Sequence, residues 1–294
     1  MKAEEAAARG AGRTPAPGRT RARRLAGDVA VFALLLAGLV VVLFPFVWMV
    51  STSLKTLPST FTTRIHLIPR PAVWQNYLKV WAILPFGAFY LNSVIVSATV
   101  TVAQLLLCSL AAYAFARLPW PGRDGVFLLY LAAMMIPSQV TLIPNFLFLT
   151  FLRGIDHYWG IIVPQVFTVF GTFLLRQFFR TIPRSLEEAA HMDGASHFRI
   201  YAQVILPLST PGLAALGVFA FLFSWNNFLW PLVAVYRESL FTLPIGLLSF
   251  IGQFSTDFPL MMAAACLAML PVLVLYAIAQ KRFVEGITLT GLAN

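Results

Sequence analysis

Six side chains that could hold a polar solute stand inside apolar runs: Gln139, Asn145, Gln165, Trp225, Asn226 and Asn227. Hydroxyl groups need hydrogen-bond partners and a sugar ring has an apolar face, so amides beside an aromatic plane suit a carbohydrate. An amide in hydrocarbon is costly unless it faces a partner or a watery cavity. As a set, with Pro137, Pro144, Pro164 and Pro231 close by, the six point to a polar path whose kinks permit rearrangement. Singly, each amide is also accounted for by hydrogen bonding between helices, which is common in bundles.

Reaction chemistry has no comparable set. A phosphate-binding loop needs G-x-x-x-x-G-K-[ST]. The four lysines, Lys2, Lys55, Lys79 and Lys281, all lie in other contexts, and no H-E-x-x-H or G-x-S-x-G occurs. His66, His157, His191 and His197 are scattered. His191 and His197 are six apart across Gly194, a poor spacing for two ligands on one helix face. Cys108 and Cys266 each sit in an apolar run and read as small buried side chains. No catalytic residue, metal or cofactor is expected.

Local structure signals gather instead between Pro183 and Pro207. Ser185 and Glu188 have the S-x-x-E spacing of a capping box, which predicts a short helix over Leu186–Asp193. Gly194 suits the left-handed residue that ends a helix. Ser196 can cap a second helix running to Leu206, with Pro207 marking its end. Ala189, Ala190 and Ala195 give a thin surface that lets another protein approach the backbone. Glu187, Glu188 and Asp193 add acceptors for basic groups on that partner. A helix lying on a bilayer would show large apolar and basic residues instead.

The elements that position these residues must cross a membrane. The chain is 59% hydrophobic and 11% charged, where a soluble domain carries about a quarter charged residues. Runs long enough to span lie at about 29–50, 90–116, 126–150, 158–179, 213–235 and 260–279. The segment Phe241–Ile251 is too short, holds Pro244, and is expected to lie at the interface or re-enter partway. Six spans put both termini on one side, together with fifteen Lys and Arg, against six on the other, so that side is expected to be cytoplasmic. Seven spans, with the C-terminus outside, are the competing count. The net charge of +10 is spread along the tail and loop flanks rather than gathered on one face, which argues against a nucleic-acid partner. Residues 1–24, rich in Ala, Arg, Gly and Pro, read as a disordered cytoplasmic tail before an uncleaved first span.

The run Glu188-Ala189-Ala190, then Gly194, then Val204-x-Leu206-Pro207 resembles the EAA loop of ABC importer permeases. That pattern is EAA, three residues, Gly, nine residues, Ile-x-Leu-Pro, and only Val204 departs from it. Tyr90-Leu91-Asn92-Ser93, FLFSWNNFLWPL in the fifth run and QKRFVEGITLTG near the C-terminus are similar to carbohydrate importer permeases of the maltose type, in particular the six-span subunit. The resemblance implies an all-α polytopic membrane protein of the type I importer fold, with six transmembrane helices and a cytoplasmic coupling loop. The expected organisation is a tail over 1–27, a first helix and external segment over 28–88, a transmembrane core over 89–281 with the EAA loop at 183–207, and a C-terminal tail over 282–294. Implied partners are a second homologous permease subunit, two ATP-binding subunits that supply hydrolysis, an extracytoplasmic solute-binding protein and membrane lipid. Implied coupling residues are Glu187, Glu188, Ala189, Ala190, Asp193, Gly194, Ala195, Leu206 and Pro207. The implied cargo is a di- or oligosaccharide or a related polyol or sugar derivative, and the implied location is a bacterial or archaeal plasma membrane. A permease for amino acids or peptides is the alternative within importers. An ion-coupled secondary transporter would need charged groups at mid-membrane, which these spans nearly lack.

Overall fold

Apolar runs of spanning length become three long helices and three helix pairs bent at a break. The computed structural model describes residues 17–62, 66–251 and 256–291, with side-chain surroundings described over 27–62, 66–251 and 256–280. Among the described residues the extended elements are helices and none is a strand. Counted as one span per bent pair, six spans among the described residues are long and apolar enough to cross a membrane.

Helix α1 (Pro17–Ser53) forms, through Ser51, a unit of its own. Its backbone is helical from Pro17, within the tail expected over 1–27. Residues 1–16 lie outside the described residues.

The second unit begins with the short helices α2 (Leu57–Thr60) and α3 (Gln75–Ile83). Buried Asn76 donates from Nδ2 to the carbonyls of Ser53 (2.8 Å) and Lys55 (2.9 Å), which fastens the expected external segment to the chain that enters it. Helix α4 (Phe86–Ala116) follows. At 1.5 Å per residue its 31 residues exceed the hydrocarbon thickness of about 30 Å.

The three bent pairs break near prolines, and at one of them the freed carbonyls have partners in neighbouring helices. In the third run, α5 (Arg123–Ala132) continues as a 3-10 turn to Met135 and α6 starts at Ser138. Ile136 is extended before Pro137, as the proline ring demands, and the axis turns by 96°. The single span expected over 126–150 is therefore two arms at nearly a right angle. In the fourth, α7 (Tyr158–Ile162) and a 3-10 turn through Gln165 meet α8 (Val169–Thr181) at 45°. The carbonyl of Gln165 there accepts from Gln104 Nε2 of α4 at 2.6 Å. That of Thr168 accepts from Tyr130 of α5 at 3.3 Å and from the Cys108 thiol at 3.5 Å. In an apolar medium such partners are what allow a helix to break at all.

The fifth run departs furthest from expectation. Helix α9 (Ser185–Met192) precedes α10 (His197–Ile200), a π turn over Tyr201–Ile205 and α11 (Leu206–Leu208). The axis then bends by 80° into α12 (Thr210–Trp225). The span expected to reach Val235 ends at Trp225, and α13 (Leu229–Ala234) is a separate short helix. Pro207 carries no N–H and its ring crowds the carbonyl four residues back, so the widened π turn just before it relieves that conflict.

Helix α14 (Leu243–Gly246), flanked by 3-10 turns, occupies the short segment expected at the interface or re-entering. Asn92 Nδ2 of α4 donates to the carbonyls of Ser239 and Phe241, both at 2.9 Å, and Ser93 Oγ accepts from the Leu243 N–H at 2.6 Å. Leu243 and Phe250 are buried with Phe86 and Phe89, so α14 packs onto the start of α4. Helix α15 (Phe258–Gly291) ends the described chain. Its backbone stays helical through the region expected as a C-terminal tail from residue 282, and residues 292–294 lie outside the described residues.

Helix α4 is the post against which α8 and α12 lean. A Cβ on Gly171 would meet Thr168 at 2.8 Å, Leu216 of α12 at 2.9 Å and Cys108 of α4 at 3.1 Å. Only glycine lets the three helices approach there.

The loop before α7 is held to the loop after α13 by one carboxylate. Asp156 accepts from the N–H groups of Tyr236 (2.7 Å) and Arg237 (2.8 Å), and the Arg237 guanidinium donates to its carbonyl. Desolvation pushes this carboxyl up, but the two N–H groups and the Arg237 charge outweigh it and hold it below the ordinary carboxylate value. A depressed folded-state value adds stability above the unfolded value of about 3.9, and that stability is lost as pH falls through the lower folded one. Asp156→Asn should therefore melt earlier than wild type at pH 7, with the gap closing below about pH 3.9. A gap of equal size at both ends of the titration would refute this assignment.

Candidate functional site

The segment between α8 and α12 presents one helix outward and braces it from behind. Pro183 starts the helical turn early: Arg184 is already helical and the Glu187 N–H bonds its carbonyl at 2.9 Å. Ser185 thus stands inside the helix and not at its cap, so the capping box expected from Ser185 and Glu188 does not form. The other end is as expected. Gly194 has φ +78°. Its N–H bonds the His191 carbonyl and the Ala195 N–H bonds the Ala190 carbonyl, both at 3.0 Å. That pair of bonds is the Schellman closure, and it needs a left-handed residue at this position. Ser196 caps α10, its Oγ accepting from the Arg199 N–H at 3.4 Å.

Helix α9 buries none of its residues completely. Glu188, Ala189 and Asp193 are exposed, and Met192 is 89% exposed. Ala190, Ala195 and Leu206 pack partly against the chain's own core, together with Tyr113, Leu175 and Tyr201. The three alanines expected to form one docking surface are thus divided: Ala189 faces out while Ala190 and Ala195 let the loop sit close to α4 and α8. Pro207 is exposed at the bend toward α12.

Glu187 departs from expectation too. Its Oε1 lies 2.9 Å from Arg117 Nε, with side-chain exposures of 13% and 4%. The contact is an ion pair by distance rather than an aligned hydrogen bond. Arg117 also donates to the carbonyls of Phe179 and, at 2.6 Å, Ile182. Burial pushes the guanidinium down and Glu187 opposes that shift. One arginine therefore ties the end of α4, the end of α8 and the outward helix α9. A second brace is the 2.7 Å hydrogen bond between Ser109 and Tyr201. The turn also brings His191 and His197 together, ring centroids 4.8 Å apart, which their spacing along one helix would not. Among the described residues no group of three metal-ligating side chains forms.

The amides separate into two groups. Asn227 Nδ2 donates to Gln165 Oε1 at 2.9 Å, Gln165 Nε2 donates to the Ile161 carbonyl at 2.8 Å, and Asn227 Oδ1 accepts from the Trp230 N–H at 3.4 Å. Buried Trp225 donates to the Ala268 carbonyl at 3.1 Å. Gln139, Asn145 and Asn226 are exposed, the last bonded to the Leu222 carbonyl at 2.9 Å. A cleft of about 720 Å³ opens beside the first group, with Gln104, Gln165, Thr168, Phe170, Phe219 and Phe223 in its wall.

Residues 104–288, from the middle of α4 to near the end of α15, match the family model for the binding-protein-dependent transport system inner membrane component. The chain belongs to that family. The permease is 35% identical over 269 residues to the sn-glycerol-3-phosphate transport system permease protein UgpE of Pectobacterium atrosepticum, covering 88% of this chain and 95% of that one. It is 33% identical over 255 residues to the arabinooligosaccharides transport system permease protein AraQ of Bacillus subtilis, covering 85% and 90%. Its fold superposes with a TM-score of 0.81 on a chain from the crystal structure of a bacterial ABC transporter involved in the import of the acidic polysaccharide alginate, at 25% identity over 92% of this chain and all of that one. The permease is therefore an inner-membrane transport component of the ABC importer class.

Sequence reasoning missed Gln104 and Arg117 in the permease. Gln104 is a lone amide in an apolar run, and its partner at Gln165 is 61 residues away. Arg117 stands one residue past a span, a usual place for a snorkelling cation. Nothing local ties it to Glu187.

Proposed function

We propose that the permease forms half of the membrane path of an ATP-driven importer for a sugar or sugar derivative, and that α9 seats in a separate ATP-binding subunit. The observation that carries this is a helix left exposed by its own chain yet braced from behind by Arg117 and Tyr201. A helix so held transmits a push to α4 and α8 instead of absorbing it. Both termini and the α9 loop would lie in the cytoplasm. A second homologous permease, two ATP-binding subunits and an extracytoplasmic solute-binding protein would complete the assembly. Exposed Gln139 and Asn145 support the pairing, because amides at membrane depth need a polar partner or a watery path. Helix α6, which carries both, buries only Leu149.

The named relatives carry a glycerol phosphate in one case and arabino-oligosaccharides in the other, and a polyol or saccharide cargo is common ground. The cleft with Phe170, Phe219 and Phe223 beside Gln165 would offer ring faces and an amide to such a solute.

Three substitutions test the reading. Ala189→Cys, exposed on α9, should form a disulfide with a cysteine placed in the groove of a co-expressed ATP-binding subunit. Capture of the lipid-facing side of the partner permease instead would end the docking assignment. Phe219→Ala should change uptake of a labelled saccharide with the complex still assembled. Asn227→Leu should lower assembly itself, because it orphans Gln165 Oε1 at a cost of about 1–3 kcal/mol. Normal assembly with altered cargo choice in Asn227→Leu would return that residue to the path.

A further inference from the structure

A second cleft lies at the α9 end of the bundle, outside the proposed path, and its chemistry is of another kind. Its volume is about 510 Å³ and its wall holds five arginines, Arg117, Arg123, Arg176, Arg180 and Arg184, with Asp124 as the one acid. Glu187 pairs with Arg117 from outside that wall. Five positive charges against two negative ones leave an excess of three. The floor is built rather than incidental. Arg117 and Arg176 keep only 4% and 8% of their side chains exposed. Arg176 is fixed by Asp124 at 3.2 Å, by the Phe115 carbonyl at 3.2 Å and by the Phe127 ring, 3.9 Å from its guanidinium carbon. Arg180 and Arg184 stand exposed at the rim, and Phe127 and Leu128 give the wall an apolar side.

We propose that this cleft binds a phosphate-bearing anion. Guanidinium forks match phosphate oxygens in pairs, and several converging on a partly desolvated site outcompete water for them. The apolar wall next to the charge favours a glycerophosphate headgroup whose tails leave toward lipid, while the charge alone would also serve a free phosphate. Because Arg117 both floors the cleft and holds Glu187, an occupant would draw on the same guanidinium that braces α9. Occupancy would therefore set how firmly that helix is held.

The test uses the full chain with its co-purifying subunits. Wild type and the rim variant Arg180→Ala/Arg184→Ala are compared by native mass spectrometry and thermal melting, in phosphatidylglycerol and in phosphatidylcholine nanodiscs. Wild type should retain phosphatidylglycerol at least tenfold more strongly than the variant and melt higher in it, while phosphatidylcholine should distinguish neither. Millimolar inorganic phosphate or pyrophosphate that raises the melting temperature of wild type alone, without anionic lipid, would assign the site to the free anion. Arg180→Lys/Arg184→Lys, which keeps charge and loses the fork, should fall between the two. Equal lipid retention and equal melting for wild type and the alanine variant would overturn the proposal. So would a variant that keeps its lipid but loses a co-purifying subunit, since the rim would then face an acidic protein surface.

Discussion

Gly194→Val should lower uptake by about 5- to 30-fold while the chain still reaches the membrane. A Cβ at Gly194 meets nothing within 4 Å, so no clash is involved. The cost is conformational: φ +78° is left-handed, which costs an L-residue about 1–2 kcal/mol, and that is a factor of about 5–30 in a population. A valine would abandon the Schellman closure and let α9 leave its angle to α10. Asn, which tolerates the left-handed region, separates geometry from chemistry. Uptake should rank Gly above Asn above Val, and recovery of ATP-binding subunit with the purified chain should follow that order. Equal uptake in all three would remove the turn from the coupling path.

Arg117→Ala should be the most damaging single change outside the core. Removing one partner of a buried ion pair costs about 3–5 kcal/mol, and here two carbonyls, of Phe179 and Ile182, lose their donor as well. Glu187→Gln should cost less, because Arg117 keeps both carbonyls. A double-mutant cycle isolates the pair: the two changes together should fall short of their sum. Hydrogen exchange over α9 is the second readout. It should quicken in both single variants while exchange in α4 stays slow. Strict additivity, with α9 unchanged, would mean that Arg117 serves α8 alone.

These two expectations differ in how far they could be read without coordinates. The glycine turn is local: a short polar helix, Gly194 and Ser196 contain their own geometry, and the structure places them as read. The capping box failed for an equally local reason, since Pro183 set the helix start ahead of Ser185. The arginine brace is not local. Arg117 and Glu187 meet only after α4 and α8 pack, and that packing depends on Gly171. The breaks fall between these cases. Pro137 and Pro164 announced kinks but not their angles of 96° and 45°, and at the second break the freed carbonyls find neighbours that no local signal names. At Thr168 those neighbours are Tyr130 and Cys108, a residue first read as inert packing.

The π turn over Tyr201–Ile205 has a consequence for phase. An α-helix advances about 100° per residue, and a π turn stores one residue more than an α turn in the same rise. Loss of that stored residue would return the turn to α geometry with the facing of its ends little changed, whereas loss of one residue from the adjoining α turn would swing what precedes it by about 100°. The five residues next to Pro207 therefore hold slack in the chain, one residue more than the facing of Ala189 and Met192 requires.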